Sequence, residues 1–408
     1  MKLLQVDSRQ AAIKKLLSCA SPLFLRRETI PLSKACGRIL SQDLFSREDI
    51  PGFHRSSVDG YAVQASDTAG AGESLPAFLQ PVGKVEMGKP AELSISAGQC
   101  AYVPTGGMLP EGADAMVMIE YCENFGGQIA VSAAVSPGRH VVYKGEDLPE
   151  GRKFLSAGSR LGPAEIGLLA ATGCGQVEVY RQPSLCIFSS GDELVPPESE
   201  LQPGQVRDIN SFAVAALAEK RGFCPQLGGI LPDQEEDIRS ALRRALEKYD
   251  ILAISGGSSQ GEKDMTERIL DEIASPGVFT HGLAVKPGKP TILGWDEASS
   301  TLLVGLPGHP VSAMMVFESI LAEAFRLALG LRDQQSIPAH LRCNIASSPG
   351  KTSFQPVKLL QEGDALLAEP VFYKSGLITT LTEADGYCCI PQDQEGLPAG
   401  ALVEVRLF

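Results

Sequence analysis

Three features of the sequence predict a multidomain protein, with a central doubly wound α/β domain flanked by small β-rich domains. Residues 182–331 alternate short apolar runs with amphipathic, helix-period segments. Residues 50–147 and 332–408 instead carry Gly/Pro punctuation and period-two runs, the mark of small β domains. The length, 408 residues, exceeds what one hydrophobic core usually organises. The expected boundaries are therefore 1–49 plus 148–181 as a discontinuous N-terminal linking domain and 50–147 as an inserted β-rich domain. An α/β domain over 182–331 and a barrel-like β domain over 332–408 follow.

The elements follow in order. In "VDSRQAAIKKLL", Asp7 and Gln10 have capping-box spacing, and Ile13, Leu16 and Leu17 share the apolar face of the helix they open. "QCAYVPTG" and "DAMVMIEY" are strand-like runs of the inserted domain. "SLCIFSSGDEL" is a buried strand entering a loop, and 210–221 is a helix stopped by Gly222. "PQLGGIL" is a second strand. Ile238, Leu242 and Leu246 then recur every four residues through an amphipathic helix over 235–249. "DILAIS" is a third strand, followed by the loop "GGSSQGEKD" and a helix through Ile269 and Leu270. "VKPGKPTIL" and "GLPGHPVS" each join an apolar run to Pro-Gly-x-Pro. Proline fixes φ and removes a donor while glycine frees the backbone, so two rigid, shaped loops are expected. Pro310 opens one long helix, "PVSAMMVFESILAEAFRLALG". "LLQEGDALLAEP" is a hairpin, and "ALVEVRLF" alternates as an edge or barrel strand does.

Composition narrows the function. Apolar residues make up 44% and charged residues 21%, which places the chain among globular proteins. No apolar run approaches the roughly 18 residues of a membrane span. The N-terminus lacks the long apolar core of a secretory signal, so a cytoplasmic location is expected. The ten cysteines form no CxxC pair and the five histidines are dispersed, which predicts free thiols and no zinc site. A net charge of −13 argues against a nucleic-acid partner, because phosphate backbones need a basic face.

Five loops of the α/β domain follow strands and converge on one sheet edge. They offer Asp192 and Glu193, then Asp233, then the donors of Ser255, Gly256 and Gly257 with Asp264 beyond them. The last two are the Pro-Gly loops, with Lys286, Lys289 and the run Pro307, Gly308, His309, Pro310. Backbone donors cradle anions, lysines add charge, and carboxylates beside them suit Mg²⁺. Taken singly, each feature has a plainer reading: a glycine turn, a helix-capping Asp, a surface lysine. Their convergence favours a phosphate-plus-metal site. Neither GxxxxGK[ST] nor GxGxxG after a strand is present.

These loops, in this order, resemble the molybdopterin molybdenumtransferase family, which includes bacterial MoeA and the E domain of gephyrin. The carriers are "DIPGFHRSSVDGYAV", "VPTGGMLPEGADAMVMIE", "KGEDL", "FSSGDEL", "SGGSSQGEKD", "KPGKP" and "GLPGHPVS". The resemblance implies a MogA-like central domain, an elongated homodimer, and insertion of molybdate into adenylylated molybdopterin with Mg²⁺-dependent release of AMP. A MogA-type adenylyltransferase is a candidate partner. Carried over by position, the resemblance implies catalytic roles for Asp59, Glu193, Asp233, Asp264 and Lys286, with Glu193, Asp233 and Asp264 as metal ligands. It implies substrate binding by Thr105, Gly106, Asp147, Ser255, Gly256, Gly257, Lys289, Pro307, Gly308, His309, Pro310 and Ser375. Departures from the family pattern stand at Arg55 and Val58 before Asp59, at Ser258 and Gln260, at His309 in place of asparagine, and at Gly282. Three other readings stay open: an insertase for tungstate, a pterin-binding scaffold without turnover, and an adenylyltransferase of the MogA type. The large flanking β domains weigh against the last.

Overall fold

The computed structural model describes residues 6–256, 260–331, 336–372 and 374–408, with only the backbone of 260–264. The chain divides into two compact units, one comprising Thr29–Glu178 and the other the segment up to Glu28 together with Val179–Phe408.

The larger unit is built on a six-stranded sheet of β1 (Ser184–Ser190), β2 (Cys224–Leu231), β3 (Ile251–Ser255), β4 (Pro276–His281), β5 (Ile292–Asp296) and β6 (Thr301–Leu306), in the order β2-β1-β3-β6-β5-β4. Strands β3, β5 and β6 are buried along their whole length, which is why they read as continuous apolar runs. β2, β1, β3 and β6 are mutually parallel. β5 runs against β6, because only residues 297–300 join them and that link is too short for a crossover. β4 is antiparallel to β5 and so regains the common direction. The turn between β4 and β5 therefore opens on the same edge as the loops after β1, β2, β3 and β6.

Helices α1 (Asn210–Lys220), α2 (Glu235–Leu246) and α3 (Gln260–Ile273) link the strands, and α4 (Pro310–Val316) follows β6. α2 has Glu235, Glu236 and Asp237 in its first turn and Arg243 and Arg244 in its last, complementing the helix dipole. Its buried face, with Ile238, Leu242 and Leu246, packs on Leu252, Ile254 and Leu303 of the sheet. The run after Pro310 is not one uniform α-helix: Phe317–Ala322 is π-helical before Glu323–Ala328 resumes. The Arg9 guanidinium donates to the Ser319 carbonyl within that segment (3.1 Å), giving it a partner outside the helix.

Helix Arg9–Phe24 packs on the same region through a Phe24–Phe325 edge contact at 5.3 Å. Its N-cap is Ser8, whose hydroxyl accepts from the Ala11 N–H (3.2 Å), not Asp7. The Asp7 carboxylate is already engaged by Thr280 Oγ1 and Lys15 Nζ, both at 2.7 Å.

The C-terminal strands Ser336–Leu341, Thr352–Glu362, Ala365–Pro370, Gly386–Ile390 and Leu402–Leu407 close into a five-stranded barrel around Leu341, Val357, Ala368 and Val405. The "LLQEGDALLAEP" segment forms its central hairpin. Val285–Lys286 adds in parallel to Thr352–Ser353, tying the first Pro-Gly loop to the barrel. In the smaller unit, six short strands form one sheet over a core that includes Val63, Leu79, Val117 and Ile129. Among the described residues no helix is long and apolar enough to cross a membrane.

Candidate active site

Two adjoining cavities open where the strands of the central sheet end, and Gly308 and His309 line both. The larger encloses about 890 Å³. One wall is the β4–β5 turn, in which the Lys286–Pro287 peptide is cis. Gly288 has φ +116°, and a Cβ there would collide with Val316, so the turn lies flat on the helix below. Thr291 Oγ1 donates to the Gly288 carbonyl (2.7 Å) and the Leu283 N–H to that of Lys289 (2.9 Å), pinning the turn from inside. Lys286 and Lys289 project from it, exposed. The facing wall is the barrel, which contributes Lys351, Ser353, Gln355, Lys374 and Ser375. Among the described residues, four lysines and no carboxylate line this cavity.

The smaller cavity, of about 300 Å³, has the opposite character. Glu193, Asp208 and Asp233 line it with Asn210, Ser255, Gly256 and Arg207. Asp208 is committed to structure: it accepts from Ser189 Oγ (2.8 Å), from the Ser211 N–H (3.2 Å) and from the Ser211 hydroxyl. The Asn210 amide donates to Ser255 Oγ (2.7 Å) and to the Gly308 carbonyl (2.8 Å). A carbonyl can only accept, so nitrogen must face it, and the amide orientation follows. Among the described residues the Asn210 Oδ1 atom is then buried without a partner. Gly256 is required by contact, because a Cβ there would collide with Ser190 Oγ. Asp192 accepts from the Asp233 N–H (3.1 Å), holding the loop after β2 to the loop after β1.

His309 stands between the cavities, its Nδ1 2.9 Å from Ser375 Oγ. The helix start after Pro310 is a poorer anion cradle than expected, since the Val311 N–H already meets the Ser375 carbonyl (3.3 Å). The smaller unit holds Asp59, whose Oδ1 accepts from the Thr105 N–H (2.8 Å), with Gly106 next in the turn at φ +82°. Asp147 is exposed there, its N–H on the Ile50 carbonyl (3.1 Å).

Glu193, Asp233, Ser255 and Gly256 thus share the smaller cavity with Gly308, His309 and Pro310, while Lys286, Lys289, Pro307 and Ser375 share the larger with Gly308 and His309. Asp59, Thr105 and Gly106 form one cluster in the smaller unit. Gly257 and Ser258 lie outside the described residues, as do the side chains of Gln260 and Asp264. Among the described residues no group of three or more acids, histidines or thiols is close enough to hold a metal. The donor set is nevertheless of the right kind for Mg²⁺: Glu193 and Asp233 supply carboxylate oxygens and Asn210 an amide oxygen that no described residue satisfies. Sequence reasoning missed Lys351, Lys374, Asp208 and Asn210. The short "RDIN" stretch before a helix was the available signal for the last two.

Pockets at the ends of sheet strands, shaped by glycine and proline turns, define a small-molecule site on an α/β scaffold. Comparison with known proteins gives that class a family. The N-terminal region of MoeA (domains I and II) matches residues 5–173, a probable molybdopterin binding domain matches 186–326, and the MoeA C-terminal region (domain IV) matches 338–408. The molybdopterin molybdenumtransferase of Haemophilus influenzae is 31% identical over 95% of each chain. That of a Nostoc species is 34% identical over 74% of this chain and 70% of its own. The crystal structure of the molybdopterin biosynthesis MoeA protein from Pyrococcus horikoshii superimposes with a TM-score of 0.80 at 30% identity, covering 99% of this chain and all of that one. This chain belongs to the MoeA, or molybdopterin molybdenumtransferase, family.

Proposed function

We propose that this protein inserts molybdate into adenylylated molybdopterin and releases AMP in an Mg²⁺-dependent step. The observation that carries this reading is the division of charge at His309, with lysines on one side and carboxylates on the other. Molybdate and a pyrophosphate repel each other, and Lys286 and Lys289 lower that repulsion by neutralising both. Pro287 and Gly288 hold the two lysines in a fixed spacing, so the anions meet in one geometry. Phe372, 70% exposed on the rim of the larger cavity, offers a face on which a planar heterocycle can stack. Glu193 and Asp233 would hold Mg²⁺, with the Asp264 carboxylate added by the family resemblance. When bound, the ion supplies charge neutralisation on phosphate oxygens. No side-chain nucleophile is required: an oxyanion or water oxygen attacks the phosphoanhydride, and AMP leaves with the bonding electrons.

We further propose that the chain works as a homodimer in the cytoplasm, with a MogA-type adenylyltransferase as its source of substrate. The direct test is incubation with adenylylated molybdopterin, Mg²⁺ and molybdate or tungstate, following AMP. Release that depends on both the oxyanion and Mg²⁺ is expected; no release with either oxyanion overturns the reading. Sedimentation at micromolar concentration tests the dimer, and a monomer there defeats it.

A further inference from the structure

We propose that a separate cavity, at the end of the central sheet opposite the Pro-Gly loops, binds a free α-amino acid with a large apolar side chain. The inference does not depend on the proposed function, and the site is one of binding without reaction.

The cavity encloses about 410 Å³ between helix Arg9–Phe24 and the edge where β4 begins and β5 ends. Its apolar wall includes Pro22, Pro276 and Trp295. Trp295 is the only tryptophan of the chain and is 9% exposed, so its indole borders the cavity while shielded from bulk water. Rings of fixed shape receive an apolar side chain at little cost in their own freedom.

The helix departs from its own regularity at this point. Pro22 lies inside it and has no N–H to give the Ser18 carbonyl, four residues back. Both residues lie on the face that lines the cavity. The Ser18 carbonyl is thus an acceptor deprived of its ordinary helical donor, whereas the Ser18 hydroxyl is spent on the Lys15 carbonyl (2.6 Å).

Two charges of opposite sign complete the lining. Arg26 gives one nitrogen to Asp250 (2.7 Å), and the rest of its guanidinium has no partner among the described residues. Glu297 is exposed, and its carboxylate likewise has none. A guanidinium suits a carboxylate, while Glu297 and the Ser18 carbonyl suit an ammonium. A simple anion would meet Glu297 and a simple cation would meet Arg26. A zwitterion answers both, and the apolar wall calls for an apolar side chain. An α-amino acid carries all three groups on one carbon; a peptide terminus offers only one of the two charges.

The test is a titration of the full-length protein with L-phenylalanine, following the emission of Trp295. A saturable change below about 10 mM is expected. N-acetyl-L-phenylalanine lacks the ammonium and L-phenylalaninamide lacks the carboxylate, so each should bind about tenfold more weakly. Glycine, without the apolar side chain, should compete about tenfold less well or worse. Glu297→Gln and Arg26→Gln should each weaken L-phenylalanine by about tenfold. Circular dichroism checks folding, and the exposed Glu297 keeps the test valid if Arg26→Gln does not fold. The inference is overturned if L-phenylalanine leaves the emission unchanged, if either derivative or glycine binds within about threefold of it, or if Glu297→Gln binds it as the native protein does.

Discussion

The two ends of the central sheet differ in how many carboxylates they commit to the fold: Asp250 and Asp296 are saturated at one end, while at the other Asp208 is saturated but Glu193 is exposed. At the end where β3 begins, Asp250 is 6% exposed and accepts from Arg26 (2.7 Å), Arg181 (2.6 Å), and both the N–H and hydroxyl of Ser184 (2.8 Å each). Burial pushes its carboxyl up, but the Ser184 donors and Arg181 outweigh burial and hold it below the usual range. Asp296, at the end of the antiparallel β5, lies at the same edge. It is held down likewise: burial opposes, and Ser299 and the Ser275 N–H prevail. At the opposite edge, Glu193 is exposed and Asn210 Oδ1 lacks a partner among the described residues. A saturated carboxylate has no capacity left for a ligand, so it serves the fold. An edge with unspent acceptors is the one that can serve chemistry.

The largest effect that could break this contrast is Asp250→Ala. Removing the acceptor strands two arginines and two Ser184 donors, so unfolding in urea should show a loss of about 3–5 kcal/mol. A loss below about 1 kcal/mol would place Asp250 with the exposed acids of the site. Next comes Asp233→Asn at the other edge. AMP release should fall by about a hundredfold or more while the melting temperature shifts by only a few degrees. If that variant unfolds yet keeps its activity per folded molecule, Asp233 belongs with the structural set.

A pH titration sharpens the comparison further. Because the folded carboxyl of Asp250 is depressed, the unfolded chain binds the proton more readily. Its stabilisation is therefore fully present above the unfolded value of roughly 3.9, and is lost as pH falls through the folded one. Stability measured from neutral pH into acid should fall less steeply in Asp250→Asn than in the native protein; parallel acid limbs would contradict the assignment. The smallest effect is expected of His309→Asn. Among the described residues the imidazole contributes a single bond, to Ser375, which an asparagine can replace, so molybdate affinity should change by about threefold at most. A larger change would make His309 a selector of the anion.

Much of this organisation was legible in the chain. The four-residue recurrence of Ile238, Leu242 and Leu246 identified a helix, because a 3.6-residue period has one buried face. The strand ends carrying Glu193, Asp233, Ser255 and Pro307 were legible because each apolar run gives way there to a turn bearing Gly, Pro or Asp. The reversal of β5 was not, since a pair of apolar runs reads alike in either direction. Nor was the choice of Ser8 over Asp7 as cap, which was decided by Thr280, more than 270 residues away in sequence. The π-helical segment is likewise invisible in an apolar helix.

By itself, then, the sequence determined the alternation of elements, the loops that end the strands, and the two lysines of the Pro-Gly turn, because periodicity and backbone restriction are local properties. Only the tertiary structure decided that Lys351 and Lys374 join those lysines, and that Asn210 turns its amide nitrogen to Gly308 and leaves its oxygen unmet by the described residues. The reason is physical. Charge clustering and hydrogen-bond satisfaction depend on distances between groups far apart in the chain, and closure of the barrel and the Lys286–Ser353 ladder set those distances.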